Sequence, residues 1–338
     1  MKASNSLSRG AWCAAAGSAA LAASVPSISR GAGPLVLRCG TDTQATQLTT
    51  LSVVAMCDAI EKASNGAVKI ALFPASILGN ASAMVSQLRN GALDFALISG
   101  ANLGGVEPLC NIEGVGFAFP DNTVAYRTMD GALGQLIRKR LLDTGIFTFD
   151  RVLGAGFTQF MNGVHPIRTP ADLGGLKMRT PTSRVIINLL QTLGGSPVPI
   201  ALAEVYTSLQ THVVDGIVIT LDGFEGAHLY EVQKYLSVLN PVWAGRYFLA
   251  SSTIWKGLPP DIAALIQRNV TKFALDERAR IDSSEADYVA KLTHQGMAVV
   301  RPEAGPFKAK CGPHYAWCKE TFGDQAWNLL EQSTGQLR

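Results

Sequence analysis

An alternation near the start of the chain constrains its fold more than any other feature. Three short apolar runs at 35–39, 68–73 and 93–98 read as strands, and two helix-length segments separate them. The first run leads through a polar turn at Thr41, Asp42 and Thr43 into a segment carrying Leu48, Leu51, Ala55 and Ala59 at helical spacing, which Asn65 and Gly66 close. Pro74 marks the exit of the second strand. Met84, Val85 and Leu88 form the stripe of the next helix, which ends at Asn90 and Gly91. Each helix returns the chain to the same sheet edge, so this β-α-β-α-β order predicts a parallel sheet with right-handed crossovers. Residues 99–102 (SGAN) then stand at a strand's carboxyl end, where pockets of α/β folds form.

The pattern repeats further on. After an irregular apolar stretch at 107–120, a helix is expected over 123–143, stopped by Gly145. A strand-like piece at 147–152 runs through Gly154 and Gly156 into 157–159. The spacing then predicts a strand at 176–179, a helix at 185–193, an extended piece at 198–200, a helix at 204–210 and a strand at 216–220. A second set of strands and helices gives a second lobe. An apolar run at 247–254 reads as a strand returning to the first lobe. Pro259 and Pro260 open a long helix to about residue 295, with Ile262, Leu265, Ile266, Val270 and Phe273 inward, long enough to bridge both lobes. The tail at 307–330 reads as helical, with Trp317, Phe322 and Trp327 packing.

Composition matters chiefly for what it excludes. A formal charge of +3, from 29 basic and 26 acidic residues, gives no global field for nucleic acid, and no basic run with interleaved aromatics occurs. Lys2 and Arg9 precede a small-residue apolar run at 10–23, which reads as a secretory signal peptide over 1–24 with Ala20-Leu21-Ala22 or Ala22-Ala23-Ser24 as the cleavage triplet. That run is too short for a transmembrane anchor and no later stretch approaches a membrane span, so the expected mature protein is exported and not membrane-spanning. Cys13 leaves with the leader. Cys39, Cys57, Cys110, Cys311 and Cys318 remain, an odd number whose spacings match no zinc motif, and buried free thiols are the expected state for most of them. No pair among the five histidines has the His-Glu-x-x-His spacing, the glycine-rich pieces lack the rest of a dinucleotide fingerprint, and no phosphate loop is present. No metal, cofactor or catalytic residue is therefore expected.

Residues 166–181 (PIRTPADLGGLKMRTP) carry the most chemistry. Thr169 or Asp172 caps locally, Gly174 and Gly175 turn the chain, and Arg179 ends a short strand that Pro181 terminates. A guanidinium there can meet a ligand carboxylate through two parallel hydrogen bonds and stays charged at any physiological pH. On the stretch alone, a solvated or snorkelling arginine is the more common reading of an Arg after an apolar strand.

Together, PADLGGLKMR (170–179), EVYTSLQTHVVDG (204–216), LYEVQKYL (229–236), SILGNASAMVSQLRNGALDFAL (76–97) and the LPPDIAALI helix start resemble the solute-binding proteins of TRAP (tripartite ATP-independent periplasmic) transporters, the C4-dicarboxylate-binding periplasmic protein family. The resemblance covers nearly all of the mature chain in one order. It implies an α/β, two-lobed, type II-like periplasmic-binding-protein fold with central mixed sheets, hinge strands and a long lobe-bridging helix. The expected lobes are 35–156 with 245–284, and 157–244 with 285–338. The implied function is capture of a small organic acid between the lobes and delivery to TRAP membrane permease subunits, by a protein expected to be a monomer. In the family the arginine ending the Leu-Lys-x-Arg strand pairs with the ligand carboxylate, and here it is Arg179. The other pocket positions fall on Thr41, Ser99, Asn102, Gln159, Thr182, Leu202, Ile219, Trp243 and Arg246.

One departure bears on the ligand. Many members continue Gln-Glu-Asn-Pro after Asp-Gly, whereas this chain reads Asp215, Gly216, Ile217, Val218, Ile219, Thr220. Ile219 offers no second hydrogen bond to a carboxylate, and Gln159 stands near a position where relatives often place a further arginine. A monocarboxylate with a partly apolar body is expected, walled by Trp243, Leu202, Ile200 and Ile219. Arg246 and Arg184 are the two cations that could instead serve a second carboxylate. An exported hydrolase and a ligand sensor on the same fold are the competing readings.

Overall fold

The computed structural model describes residues 33–338, so the leader expected over 1–24 and its Cys13 lie outside the described residues. Strands β1 (Leu35–Thr41), β2 (Val68–Phe73) and β3 (Phe95–Ser99) lie in the order β2-β1-β3, all parallel, with α1 (Leu48–Ala63) and α2 (Ala81–Arg89) as the crossovers. Asn80 starts α2 by accepting the Ala83 N–H at 2.9 Å. Asn65 and Gly66 reverse the chain after α1 with φ of 50° and 78°.

Helix α1 exists where its spacing predicts but buries another face. Leu51 is 48% exposed, while Thr49, Thr50, Ser52, Val53, Met56, Cys57 and Ile60 are buried. The polar members tolerate burial because they have partners: the Thr49 hydroxyl reaches Glu277 Oε1 at 3.0 Å, and Thr50 Oγ1 lies 2.6 Å from Thr43 Oγ1. The single helix expected over 123–143 is two, α3 (Asn122–Asp130) and α4 (Ala132–Asp143), broken where Gly131 takes φ −81° and ψ −152°. The Arg138 guanidinium serves the carbonyls freed at the break, those of Met129 and Asp130, at 3.0 and 3.2 Å.

The chain continues through β4 (Ile146–Thr148), β5 (Leu153–Asn162), β6 (Lys177–Thr180), α5 (Arg184–Leu193), β7 (Ser196–Pro199), α6 (Val205–Gln210), β8 (Gly216–Thr220) and α7 (Leu221–Gly226). Then come β9 (Tyr235–Ser237), β10 (Trp243–Ser251), α8 (Ser252–Gly257), α9 (Pro260–His294), β11 (Ala298–Val300), α10 (Gly305–Lys308) and α11 (Gly312–Thr334). Among the described residues the strands form one mixed sheet, whose main path is β2-β1-β3-β10-β5-β8-β6-β7. Its two ends are parallel, and β10 and β5 join them as antiparallel strands. β10 pairs with β3 and β5, while β5 pairs with β10 through its first half and with β8 through its second.

Helix α9 has 35 residues and is therefore about 50 Å long. It packs along α1 and β5 and reaches α7 and β11. Of its expected stripe Ile266 and Val270 are buried, and the stripe continues unexpectedly into charged Glu277 and Arg278. α11 packs against α3, α4 and α5, and its chain kinks at Gly323. Cys39, Cys57, Cys110, Cys311 and Cys318 are all buried and free. Among the described residues no helix is long and apolar enough to cross a membrane.

Candidate functional site

Carboxyl ends of β1, β3, β6 and β8 and the start of β10 converge on a cleft of about 690 Å³, its mouth included. One wall is apolar, made by Ile186, Leu202, Val218, Ile219, Val242 and Trp243. Asp42, Ser99, Asn102, Glu113, Arg179 and Arg246 supply the polar lining. A smaller, more polar cavity with Ser76, Asn80, Ser82 and Thr182 adjoins it and shares Asp42, Asn102, Arg179 and Leu202. Arg179 therefore stands at the junction of an apolar chamber and a polar one.

Pairing with β7 and β8 on either side fixes β6, placing Arg179 opposite Val198 and Ile217. Its side chain is buried. Nε donates to the Ile200 carbonyl at 2.9 Å, its one side-chain hydrogen bond among the described residues, so the Nη groups remain uncommitted. Burial pulls its pKa down to about 10, against the pull of nearby Asp42, and the group is still a cation at neutral pH. Arg246 is also buried, but it is matched differently: its Nη1 lies 3.9 Å from Asp42 Oδ1. Burial raises the Asp42 pKa, and Arg246 first and Arg179 second oppose the rise.

Glu113 is the second acid of the lining. Its Oε2 accepts the Tyr247 hydroxyl at 3.1 Å and its Oε1 the Gly245 N–H at 3.3 Å. Burial pushes its pKa up to about 8, so it is mostly neutral at neutral pH. Glycines make room for it: a Cβ on Gly100 would stand 2.3 Å from Oε1, and one on Gly245 2.8 Å from Oε2.

The structure brings Arg179, Arg246, Ser99, Asn102, Leu202, Ile219 and Trp243 together in the cleft. Thr182 lines the adjoining cavity, with its hydroxyl 3.5 Å from Asn102 Oδ1, and Ile200 lies there too. Thr41 points the other way, its hydroxyl 2.9 Å from that of Thr43, and its neighbour Asp42 faces the cleft instead. Gln159 is likewise turned aside. Its Oε1 accepts the N–H groups of Leu239 and Asn240 at 2.8 and 3.0 Å, its Nε2 bonds Asn240, and it lines a separate cavity with Asp222 and Tyr288, whereas Thr158 lines the cleft. Both displacements are by one residue in or beside a strand, where side chains alternate between faces. Arg184 is exposed on α5. Sequence reasoning missed Asp42 and Glu113 as lining acids. Asp42 could have been found by testing the other phase of the β1 alternation, while Glu113 lies in an irregular stretch with no period to read.

Nucleophilic chemistry has one superficial candidate. His314 Nδ1 lies 2.7 Å from Asn188 Oδ1 and Cys318 Sγ lies 3.6 Å from its Nε2. That Nε2 accepts the Gly116 N–H at 3.1 Å, all of it lies away from the cleft, and burial holds the His314 pKa down to about 4 while raising that of the Cys318 thiol. A reactive cysteine needs the opposite shift. Among the described residues no group of three or more His, Cys, Asp or Glu side chains could hold a metal ion.

Residues 39–321 match the family model for DctP, bacterial extracellular solute-binding protein, family 7. The 2,3-diketo-L-gulonate-binding periplasmic protein YiaO of Escherichia coli is 29% identical over 267 residues, covering 78% of this chain and 80% of the relative. A TRAP periplasmic solute binding protein from Polaromonas sp. JS666, solved bound to D-erythronate, is 27% identical with a TM-score of 0.85, over 89% of this chain and 99% of that one. Another, from Bordetella bronchispeptica with density assigned as pantoate, is 28% identical with a TM-score of 0.84, over 88% of this chain and 99% of that one. The chain belongs to the DctP family of two-lobed TRAP solute-binding proteins, which bind small acids in the periplasm for membrane permeases and are not enzymes.

Proposed function

We propose that this protein captures a small monocarboxylate with a partly apolar body, pairs its carboxylate with Arg179, and delivers it to a TRAP permease. The charge arrangement of the cleft carries this reading. Two guanidiniums line it, but Arg246 has an acid within ion-pair distance, Asp42 Oδ1 at 3.9 Å, whereas Arg179 has none among the described residues and keeps its Nη donors uncommitted. One carboxylate balances Arg179, whereas a second would have to compete with Asp42 for Arg246. Ile219 and its apolar neighbours favour hydrocarbon over further charge in the rest of the chamber. D-Erythronate, bound in one relative, and pantoate, to which density in another is assigned, each carry one carboxylate, which accords with this reading. Ser99, Asn102 and Thr182 are among the polar groups in reach of a ligand's remaining oxygens. Ligand entry between open lobes, followed by closure about β5 and β10, completes the cycle.

Calorimetric titration against a panel of mono- and dicarboxylates, on the wild type and on Arg179→Gln, tests the proposal. Breaking a buried charge pair costs on the order of 2–5 kcal/mol, so the variant should bind its best acid at least about 30-fold more weakly. Nanomolar binding of succinate or malate by the wild type overturns the monocarboxylate preference. Undiminished affinity in Arg179→Gln removes the anchor.

A further inference from the structure

We propose that Asp42 selects acids carrying a hydroxyl close to the carboxylate, reading that hydroxyl jointly with Arg246. The inference rests on Arg179 as the carboxylate anchor and deepens that reading. Asp42 is 6% exposed and, like Arg179, lines both chambers, so it stands within reach of what Arg179 holds. Its Oδ2 takes a long hydrogen bond from Asn102 Nδ2 at 3.4 Å. Its Oδ1 and Arg246 Nε are both buried without a hydrogen-bond partner among the described residues.

The 3.9 Å between Arg246 Nη1 and Asp42 Oδ1 is too long for a hydrogen bond, and it separates an atom that only accepts from a group that only donates. A hydroxyl serves both sides, donating to Asp42 and accepting from Arg246. A second carboxylate there would set two anions together, an ammonium would set two cations together, and a methyl would leave both protein groups orphaned. Water can fill the same place, and a ligand that displaces it must reproduce its two bonds or lose affinity. Glu113 does not compete for this task, because its oxygens are engaged by Tyr247 and Gly245.

The test compares 2-hydroxy-3-methylbutanoate with 3-methylbutanoate, which share the carboxylate and the branched body and differ by one hydroxyl. Titrated into the wild type, the hydroxy acid should bind roughly 5- to 150-fold tighter, the range set by leaving a buried polar group unpaired. Asp42→Ala should bring the ratio of the two affinities close to unity and, with Arg246 released, improve malate binding. Asp42→Asn keeps the shape without the charge and should cut the ratio several-fold, which carries the test should the alanine variant not fold. Equal binding of the two acids by the wild type, or a ratio unchanged in either variant while Arg179 remains essential, overturns the Asp42 assignment alone. Binding of neither acid, or binding indifferent to Arg179→Gln, overturns the anchor and this inference with it.

Discussion

Replacing Glu277 by Gln should flatten the alkaline side of the stability profile. Glu277 lies on the inner face of α9 and is fully buried, with Oε2 accepting the Gly154 N–H at 2.9 Å and Oε1 bonded to the Thr49 hydroxyl at 3.0 Å. No arginine or lysine hydrogen-bonds it among the described residues. Burial dominates, only partly offset by these bonds and by Arg246, and pushes its pKa up to about 8. In the unfolded chain the same group ionises near the ordinary value of about 4.3. The sign follows: its contribution is fully present below that unfolded value and is lost as pH rises through about 8, because the unfolded chain gives up the proton first. Between about pH 6.5 and 9 the loss is roughly 2 kcal/mol, as some 1.5 pH units of that window lie below the folded pKa and each is worth ~1.4 kcal/mol.

Glutamine suits the site as the protonated acid does. Its oxygen can accept the Gly154 N–H, and its amide can donate to Thr49 Oγ1, whose own proton then goes to the Gly154 carbonyl 3.4 Å away. Urea unfolding at about pH 6.5 and pH 9 on both proteins measures the effect, with the wild type expected to lose roughly 2 kcal/mol more than Glu277→Gln across the window. Glu113, shifted in the same direction, remains in both proteins and cancels in the comparison. Parallel profiles, or a glutamine variant that is the weaker of the two at pH 9, would refute the reasoning.

Two further outcomes are expected. Arg278 forks onto Asp130 at 2.7 and 2.8 Å, donates to the Val152 carbonyl at 2.8 Å and lies 4.3 Å over the Tyr126 ring, all in a buried setting. Arg278→Ala should cost about 3–5 kcal/mol in urea unfolding, and a loss below ~1 kcal/mol would show that the clamp between α9 and α3 matters little. With all five described cysteines buried and free, the melting temperature should not change on adding a reductant, and a thiol reagent should label them only once the protein unfolds.

What the chain announced and what it concealed differ by physical cause. Strand and helix order was legible because local periodicity and Asn-Gly or Gly-Gly stops act over a few residues, as at Asn65 and Gly66. The buried face of α1 was not, because Thr49 and Ser52 find partners on α9, more than two hundred residues later in the chain. Gly131 was passed over inside an apolar pattern that continues across it, although its extended ψ splits the helix.

Within the cleft the same division separates Arg179 from its surroundings. A guanidinium at the end of a short strand, flanked by Gly-Gly and Pro, is a local pattern, and motif reading reached it. Its electrostatic meaning depends on Asp42, Arg246 and Glu113, which come from β1, β10 and an irregular stretch and lie far apart in the chain. The acid beside Arg246 is Asp42, at a 3.9 Å approach that no spacing encodes. On the function proposed above, the ligand class of this chain follows from which arginine already has an acid beside it. Arg246 has Asp42 at 3.9 Å and the proposal assigns Arg179 to the solute, so a substitution at Asp42 should change the kind of acid that is bound as well as its affinity.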